Sequence, residues 1–171
     1  MTDPAEQQRR WGKFMVVAMW LVLLGLLTLF FNDVLDKQHN PNQHIARVQA
    51  NGQQEIVLQR NKYGHYVASG MINQQPVVFM LDTGATDISI PEKVAQRLGL
   101  QRGRAVTYQT ANGPAINYAT KLDAVSLGNI TLYNLTASIN PNVEHDDVLL
   151  GMSFLKHLEF SQKGNSLTLR Q

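Results

Sequence analysis

"VVFMLDTGAT", residues 77–86, decides how this chain is read. Residues 77–81 form an unbroken apolar run that suits a buried strand, and the run stops on an acid, Asp82. A carboxylate that leaves water without partners is costly, so an acid here needs either an exit to the surface or a chemical task. The surrounding sequence distinguishes the two.

With 171 residues and 44% hydrophobic composition, the chain has room for one ordinary domain plus an appendage. The formal charge of +2 comes from 15 basic and 13 acidic residues spread along the sequence. No Lys/Arg block interleaves with aromatics, which sets nucleic acid aside as a partner. Cysteine is absent, and with it disulfides, thiolate nucleophiles and Cys-ligated zinc. The five histidines, at 39, 44, 65, 145 and 157, show no ligand spacing, so neither a metal nor another cofactor is expected.

Residues 14–31, "FMVVAMWLVLLGLLTLFF", carry no charge over eighteen positions, enough for a membrane-spanning helix. Arg9, Arg10 and Lys13 precede them; Asp33 and Asp36 follow, with Lys37 the one nearby cation. The positive-inside bias puts the N-terminus in the cytoplasm and residues 32–171 across the membrane. A cleaved signal peptide would have a shorter apolar region ending in small residues, which "TLFFNDVL" does not supply. The short tail and single anchor look bacterial, pointing to a single-pass inner-membrane protein with a periplasmic domain. The expected organisation is a cytoplasmic tail (1–13), an anchor (14–31), a linker (32–44) and a folded domain (45–171). The linker reading rests on "NDVLDKQHNPNQH", which is polar and lacks helical or strand periodicity.

Beyond the linker the chain reads as β. "ARVQA" and "QEIVLQR" flank Asn51-Gly52, a strong two-residue hairpin signal. "HYVASGMI" and "PVVFML" flank a polar "NQQ" turn, and "ISI" is followed by a short helix in "PEKVAQRLGL", opened by Pro91 and ended by Gly99. "AVTYQTANGPAINYAT" is a second Asn-Gly hairpin whose arms hold few large aliphatics, as suits a hairpin packed into no core. "LDAVSLGNITLYNLTASI" gives two more strands around Gly128-Asn129, "DDVLLGMSFLKHLEF" a short strand, a glycine and a helical turn, and "NSLTLRQ" a last strand.

"FMLDTGATDISIP" resembles the active-site loop of retroviral-type (retropepsin-like) aspartic proteases, in which apolar residues lead into Asp-Thr-Gly-Ala and a short strand. The family also expects an apolar-apolar-Gly segment late in the domain followed by a helix, and Leu149-Leu150-Gly151 in "VLLGMSFLKHL" supplies it. A glycine-tipped flap hairpin belongs between the two, where Asn112-Gly113 lies. The resemblance covers roughly residues 60–171. It implies an all-β fold, a closed single-lobe acid-protease barrel with one or two short helices and a flap hairpin, here preceded by one transmembrane helix.

The resemblance also implies a chemistry. Water attacks an amide slowly, so a protease lacking metal, Ser or Cys needs one group to take the water's proton and another to protonate the carbonyl oxygen. Two carboxylates sharing one proton do both, their apparent pKa values split because like charges about 3 Å apart cannot both ionise. Asp82 is the expected catalytic acid, Gly84 lets the loop backbone approach the carboxylate, and Thr83 turns its hydroxyl inward to brace the loop against its partner. Only one Asp-Thr-Gly is present, so a homodimer is expected, with the two Asp82 side chains on the two-fold axis. Ala85, Asp87, Asn112 and Gly113 are the expected peptide-substrate contacts. Ala85 offers no hydroxyl to lower the dyad's pKa, which favours a pH optimum of roughly 5–7 over strongly acidic operation. The alternative from a different class is a catalytically silent peptide-binding or scaffold module with the same fold. Glu144, Asp146 and Asp147 in "EHDD" could form a weak cation site, but a solvated loop is the simpler reading.

Overall fold

The computed structural model describes residues 4–45, 48–50, 53–110 and 113–171. The chain divides into two compact units, Met1–Gln38 and His39–Gln171. The first is helical: α1 spans Pro4–His39. From Trp11 onward it is long and apolar enough to cross a membrane, with none of its most apolar window buried. Thirty-six residues give a rod of about 54 Å, longer than the roughly 30 Å thickness of a bilayer's hydrocarbon layer. Near its end an i,i+4 pair, Lys37 Nζ to Asp33 Oδ2 at 2.7 Å, supports the last turns.

The second unit is a β barrel. Strands β1 (Val48–Ala50), β2 (Gln53–Gln59), β10 (Glu159–Lys163) and β11 (Ser166–Arg170) form a four-stranded sheet in the order β1-β2-β11-β10. The larger sheet contains β3 (Val67–Ile72), β4 (Gln75–Leu81), β5 (Ile88–Pro91), β6 (Ala105–Thr110), β7 (Gly113–Leu127), β8 (Ile130–Asn140) and β9 (Val148–Leu150). Its order is β3-β4-β9-β5-β8-β7-β6, and β3 also pairs with β7, closing six strands into a barrel and leaving β6 outside. Two short helices, α2 (Glu92–Arg97) and α3 (Met152–Leu155), complete the unit.

Period-two patterning builds the core. Ile56 and Leu58 on β2, Val77 and Phe79 on β4, Ile88 and Ile90 on β5, Val148 and Leu150 on β9, and Leu167 and Leu169 on β11 all face inward and are buried. The turn Asn73-Gln74 has φ of 48° and 66°, the positive pair that a two-residue hairpin with matching twist requires.

Two sequence expectations are corrected. The arm after Asn112-Gly113 and the strand after it are one continuous 15-residue strand, β7; only its first half is flap-like, while Leu122, Val125 and Leu127 belong to the barrel core. Residues 32–44 are not a free linker. Residues 32–39 continue α1, and residues 40–42 form a strap docked on the barrel. Asn42 bridges alongside Ala68, and its buried side chain donates to Gln59 O at 2.8 Å and Val67 O at 2.7 Å while accepting from Gln59 N at 2.7 Å. Asn40 donates to Ser69 Oγ at 3.0 Å, and His39 Nε2 lies 2.8 Å from Asp147 Oδ2. An asparagine amide carries the same donor and acceptor as a backbone peptide, so a polar segment can dock where an apolar one would be expected.

Candidate active site

The loop 82–87 joins β4 to β5, but those strands are not neighbours. β9 lies between them, parallel to β4 with Leu81 opposite Leu150, and antiparallel to β5 at Ser89 opposite Leu149. The loop must therefore cross the end of β9, and the contacts show how it is fixed there. Asp82 N donates to Leu150 O at 3.2 Å; Met152 N donates to Ala85 O at 2.8 Å and Ser153 N to Thr86 O at 3.0 Å. The buried Ser153 Oγ accepts from Ile88 N at 3.1 Å. Gly151 sits under this bridge in an ordinary backbone conformation, and its requirement is steric: a Cβ there would lie 2.3 Å from Asp87 O and 2.6 Å from Ala85 O. The apolar-apolar-Gly segment is thus the platform on which the acid-bearing loop rests.

Asp82 is half-buried, and its Oδ1 accepts a 2.8 Å hydrogen bond from Gly84 N, which turns the loop back on the carboxylate. A Cβ on Gly84 would stand 3.2 Å from that oxygen. Thr83 and Gly84 are exposed at the crest of the loop, and Ala85 is half-buried behind them. The buried strand ends at Leu81, and Asp82 stands where the chain leaves the core at a surface loop held by four hydrogen bonds to Leu150, Met152 and Ser153.

Asp87 closes the loop. Its Oδ2 accepts a 2.6 Å hydrogen bond from Tyr108 Oη on β6, the outer strand of the flap hairpin. Burial, then this bond to a carboxylate, raises the Tyr108 hydroxyl above the ordinary phenol range. Behind it, Asn117 Nδ2 on β7 donates to Ser138 Oγ on β8 at 3.1 Å, both buried. Sequence reading placed Asp87 in the substrate groove but missed Tyr108; the Tyr- and Thr-rich composition of the hairpin arms was the one available signal. The hairpin itself pairs Thr110 with Gly113, whose φ of 105° favours glycine. Asn112 lies outside the described residues.

A cavity of about 870 Å³ runs along the flap, bordered by Asp87, Tyr108, Arg104, Ala119, Lys121 and Thr136 among others. Asp82, Thr83 and Gly84 do not line it. Two acids of "EHDD" are separately engaged, Asp147 with His39 and Asp146 with Lys93 Nζ at 3.3 Å. Among the described residues no three His, Asp or Glu side chains converge as metal ligands would.

Residues 68–157, more than half of the chain, match the family model described as "gag-polyprotein putative aspartyl protease". An uncharacterized protein encoded in the cobV 5′ region of a Sinorhizobium species is 31% identical, over 96% of this chain and 77% of its own length. An uncharacterized protein of Rickettsia prowazekii (strain Madrid E) is 32% identical over 61% of this chain and 46% of its own. Among solved structures, the crystal structure of a retropepsin-like aspartic protease from Rickettsia conorii matches with a TM-score of 0.59 and 29% identity, covering 74% of this chain and 95% of that one. Fold, motif order and family match agree, and the chain belongs to the retropepsin-like aspartyl protease family.

Proposed function

We propose that this chain is a membrane-anchored, homodimeric aspartic endopeptidase that hydrolyses peptide bonds with Asp82 from each of two copies. The observation that carries the reading is the carboxylate of Asp82, presented at a surface loop whose backbone is braced by β9 and α3 and whose Gly84 N–H points at Oδ1. One chain provides one such carboxylate, and general acid–base attack on an amide needs two groups of opposite protonation state. A second copy supplies the other. In the shared-proton pair, one Asp82 takes a proton from water as it attacks the carbonyl carbon, and the other protonates the carbonyl oxygen; the collapsing intermediate then returns a proton to the leaving amine. No metal or cofactor enters these steps. Thr83, exposed at the loop crest, would contact its counterpart across the axis. Ala85, Asp87, Asn112 and Gly113 are proposed substrate contacts, with the peptide extended beneath the flap. That the cavity along the flap omits Asp82 fits a cleft completed only when two copies meet. Helix α1 would hold the catalytic unit on the periplasmic side of a bacterial inner membrane, its N-terminus cytoplasmic.

The test is cleavage of a mixed peptide library by full-length protein in detergent micelles across pH 3–8, beside Asp82→Asn. Cleavage by wild type alone supports the reading. No cleavage by a preparation shown to be dimeric would overturn it in favour of a peptide-binding module.

A further inference from the structure

How far the Asp82 loop can stand from a bilayer is set by the residues between them. A free segment covering residues 32–44 would reach roughly 45 Å when extended. The chain has no such slack. Residues 32–39 continue α1, and the last of them is itself held: Asn61 Nδ2 donates to His39 O at 2.9 Å, and His39 Nε2 lies 2.8 Å from Asp147 Oδ2. Asn40 and Asn42 are docked directly after it. His39 stands eight residues past Phe31, the last of the apolar run, an α-helical rise of about 12 Å. That rise carries it just past a headgroup layer about 5–8 Å deep.

The same contact leads on to the site. Asp147 directly precedes β9; Leu150 lies three residues further, about 10 Å along the strand, and its carbonyl accepts from Asp82 N at 3.2 Å. Adding the two side chains that join His39 to Asp147, the Asp82 loop lies within about 25 Å of His39, whichever way the barrel is turned. The loop therefore stands within about 40 Å of the apolar layer, a distance spanned by about a dozen extended residues. The turn that holds His39 has chemistry to match. Buried Asn61 also accepts from Tyr63 N at 3.0 Å and from His65 N at 2.9 Å, and around it Arg60, Lys62 and Tyr63 are exposed. Basic and amphipathic aromatic side chains are those that the boundary between headgroups and water accommodates.

We propose that the substrates are juxtamembrane: extended segments of other membrane proteins, cut within about a dozen residues of the bilayer on the side that carries the catalytic unit. The inference rests on the membrane-anchored endopeptidase reading above and names the substrates of that same site. A segment rooted in the same bilayer meets the site at an effective concentration in the millimolar range, which a peptide in solution does not reach. A helical mount without slack also fixes the height at which the segment is cut, where a flexible tether would let the site sample all heights.

The test uses full-length protein in phosphatidylcholine–phosphatidylglycerol vesicles, with the catalytic unit outward. One mixed peptide library is supplied free in solution, attached directly to lipid in the outer leaflet, or attached through a helical spacer of about 40 residues, about 60 Å long. The directly attached library is expected to be cut about 100-fold faster than the free one at equal bulk concentration, at positions within about a dozen residues of the lipid. Behind the spacer that advantage is lost. Lengthening α1 by about 18 helical residues between Asn32 and Asp33 raises the mount by about 27 Å and leaves the Asp33–Lys37 pair and the strap in place. The cut positions should move outward by about eight residues, with cleavage of the free library unchanged. Equal rates on free and directly attached peptides, from a wild type that cuts both beside an inert Asp82→Asn, would overturn the juxtamembrane class and leave the endopeptidase intact. Cut positions that stay in place in the lengthened variant, while it still cuts the free library, would overturn the fixed height and the inference with it. An absence of cleavage in every arm would overturn the endopeptidase reading itself.

Discussion

Asn42→Ala measures whether the strap that follows α1 is part of the folded unit. Asn42 is only 5% exposed, and its side chain makes three hydrogen bonds of 2.7–2.8 Å to Gln59 N, Gln59 O and Val67 O, at the end of β2 and the start of β3. Truncation to alanine removes all three and leaves the part-buried Gln59 N–H without its acceptor. At about 1 kcal/mol net per bond, plus the larger cost of an orphaned donor, the loss comes to roughly 3 kcal/mol. For a domain of this size that is a fall in Tm of about 10 °C. Asn42→Asp sharpens the test. It keeps the shape and the acceptor for Gln59 N, but turns an oxygen toward two carbonyl oxygens. It should destabilise at least as much at neutral pH and recover partly under acid, when the carboxyl regains a donor. The assay is thermal unfolding of the full chain in detergent, followed by near-ultraviolet circular dichroism of the β unit. An Asn42→Ala protein melting within about 2 °C of wild type would refute the reasoning and return residues 40–44 to the role of a passive linker. The same arithmetic says that a soluble fragment should begin at His39 rather than at Ile45.

Two further substitutions probe the site. Gly151→Ala forces a methyl against the main-chain oxygens of Ala85 and Asp87, so the Asp82 loop must move; a stability loss of about 1–3 kcal/mol is expected. The accompanying misplacement of the carboxylate should lower peptide cleavage by about 100-fold, and near wild-type cleavage would show that the loop does not rest on β9 as described. Tyr108→Phe removes the 2.6 Å bond between the flap strand and Asp87; if the bond holds the flap over substrate, KM should rise about tenfold with kcat little changed. Because the Tyr108 hydroxyl is raised above its unfolded range, its contribution to stability is complete below about pH 10 and lost as pH rises through the higher folded value. The Tm difference between wild type and Tyr108→Phe should therefore be constant from pH 7 to 10 and shrink above, and a difference independent of pH beyond 10 would count against the bond.

What could be read from the sequence follows the range of the interactions. Turns are encoded by neighbours: the strand pair flanking residues 51–52 takes the register Ala50 opposite Gln53, as its Asn-Gly signal implies, whereas the second hairpin sets Thr110 opposite Gly113, one residue earlier than a turn on Asn112-Gly113 would place it. The short helix from Glu92 and the left-handed Gly99 after it are equally local. Strand alternation tells which side chains face inward, as at Ile56 and Leu58, but not which strand lies beside which. The insertion of β9 between β4 and β5 is set by packing between segments some 70 residues apart, and the sequence reading did not reach it. Tyr108 and Asp87 were each visible as polar residues, yet nothing local joins a hydroxyl to a carboxylate 21 positions away.

Polar docking is hardest to read, because hydrophobic periodicity is blind to it. "NPN" at residues 40–42 has the composition of a solvated linker, since the groups that satisfy its asparagines belong to Gln59, Val67 and Ser69 and exist only after the barrel closes. A single Asp-Thr-Gly gives one motif carboxylate per chain; that its loop rests on Leu150, Met152 and Ser153 is a property of the fold that no inspection of the motif could have produced.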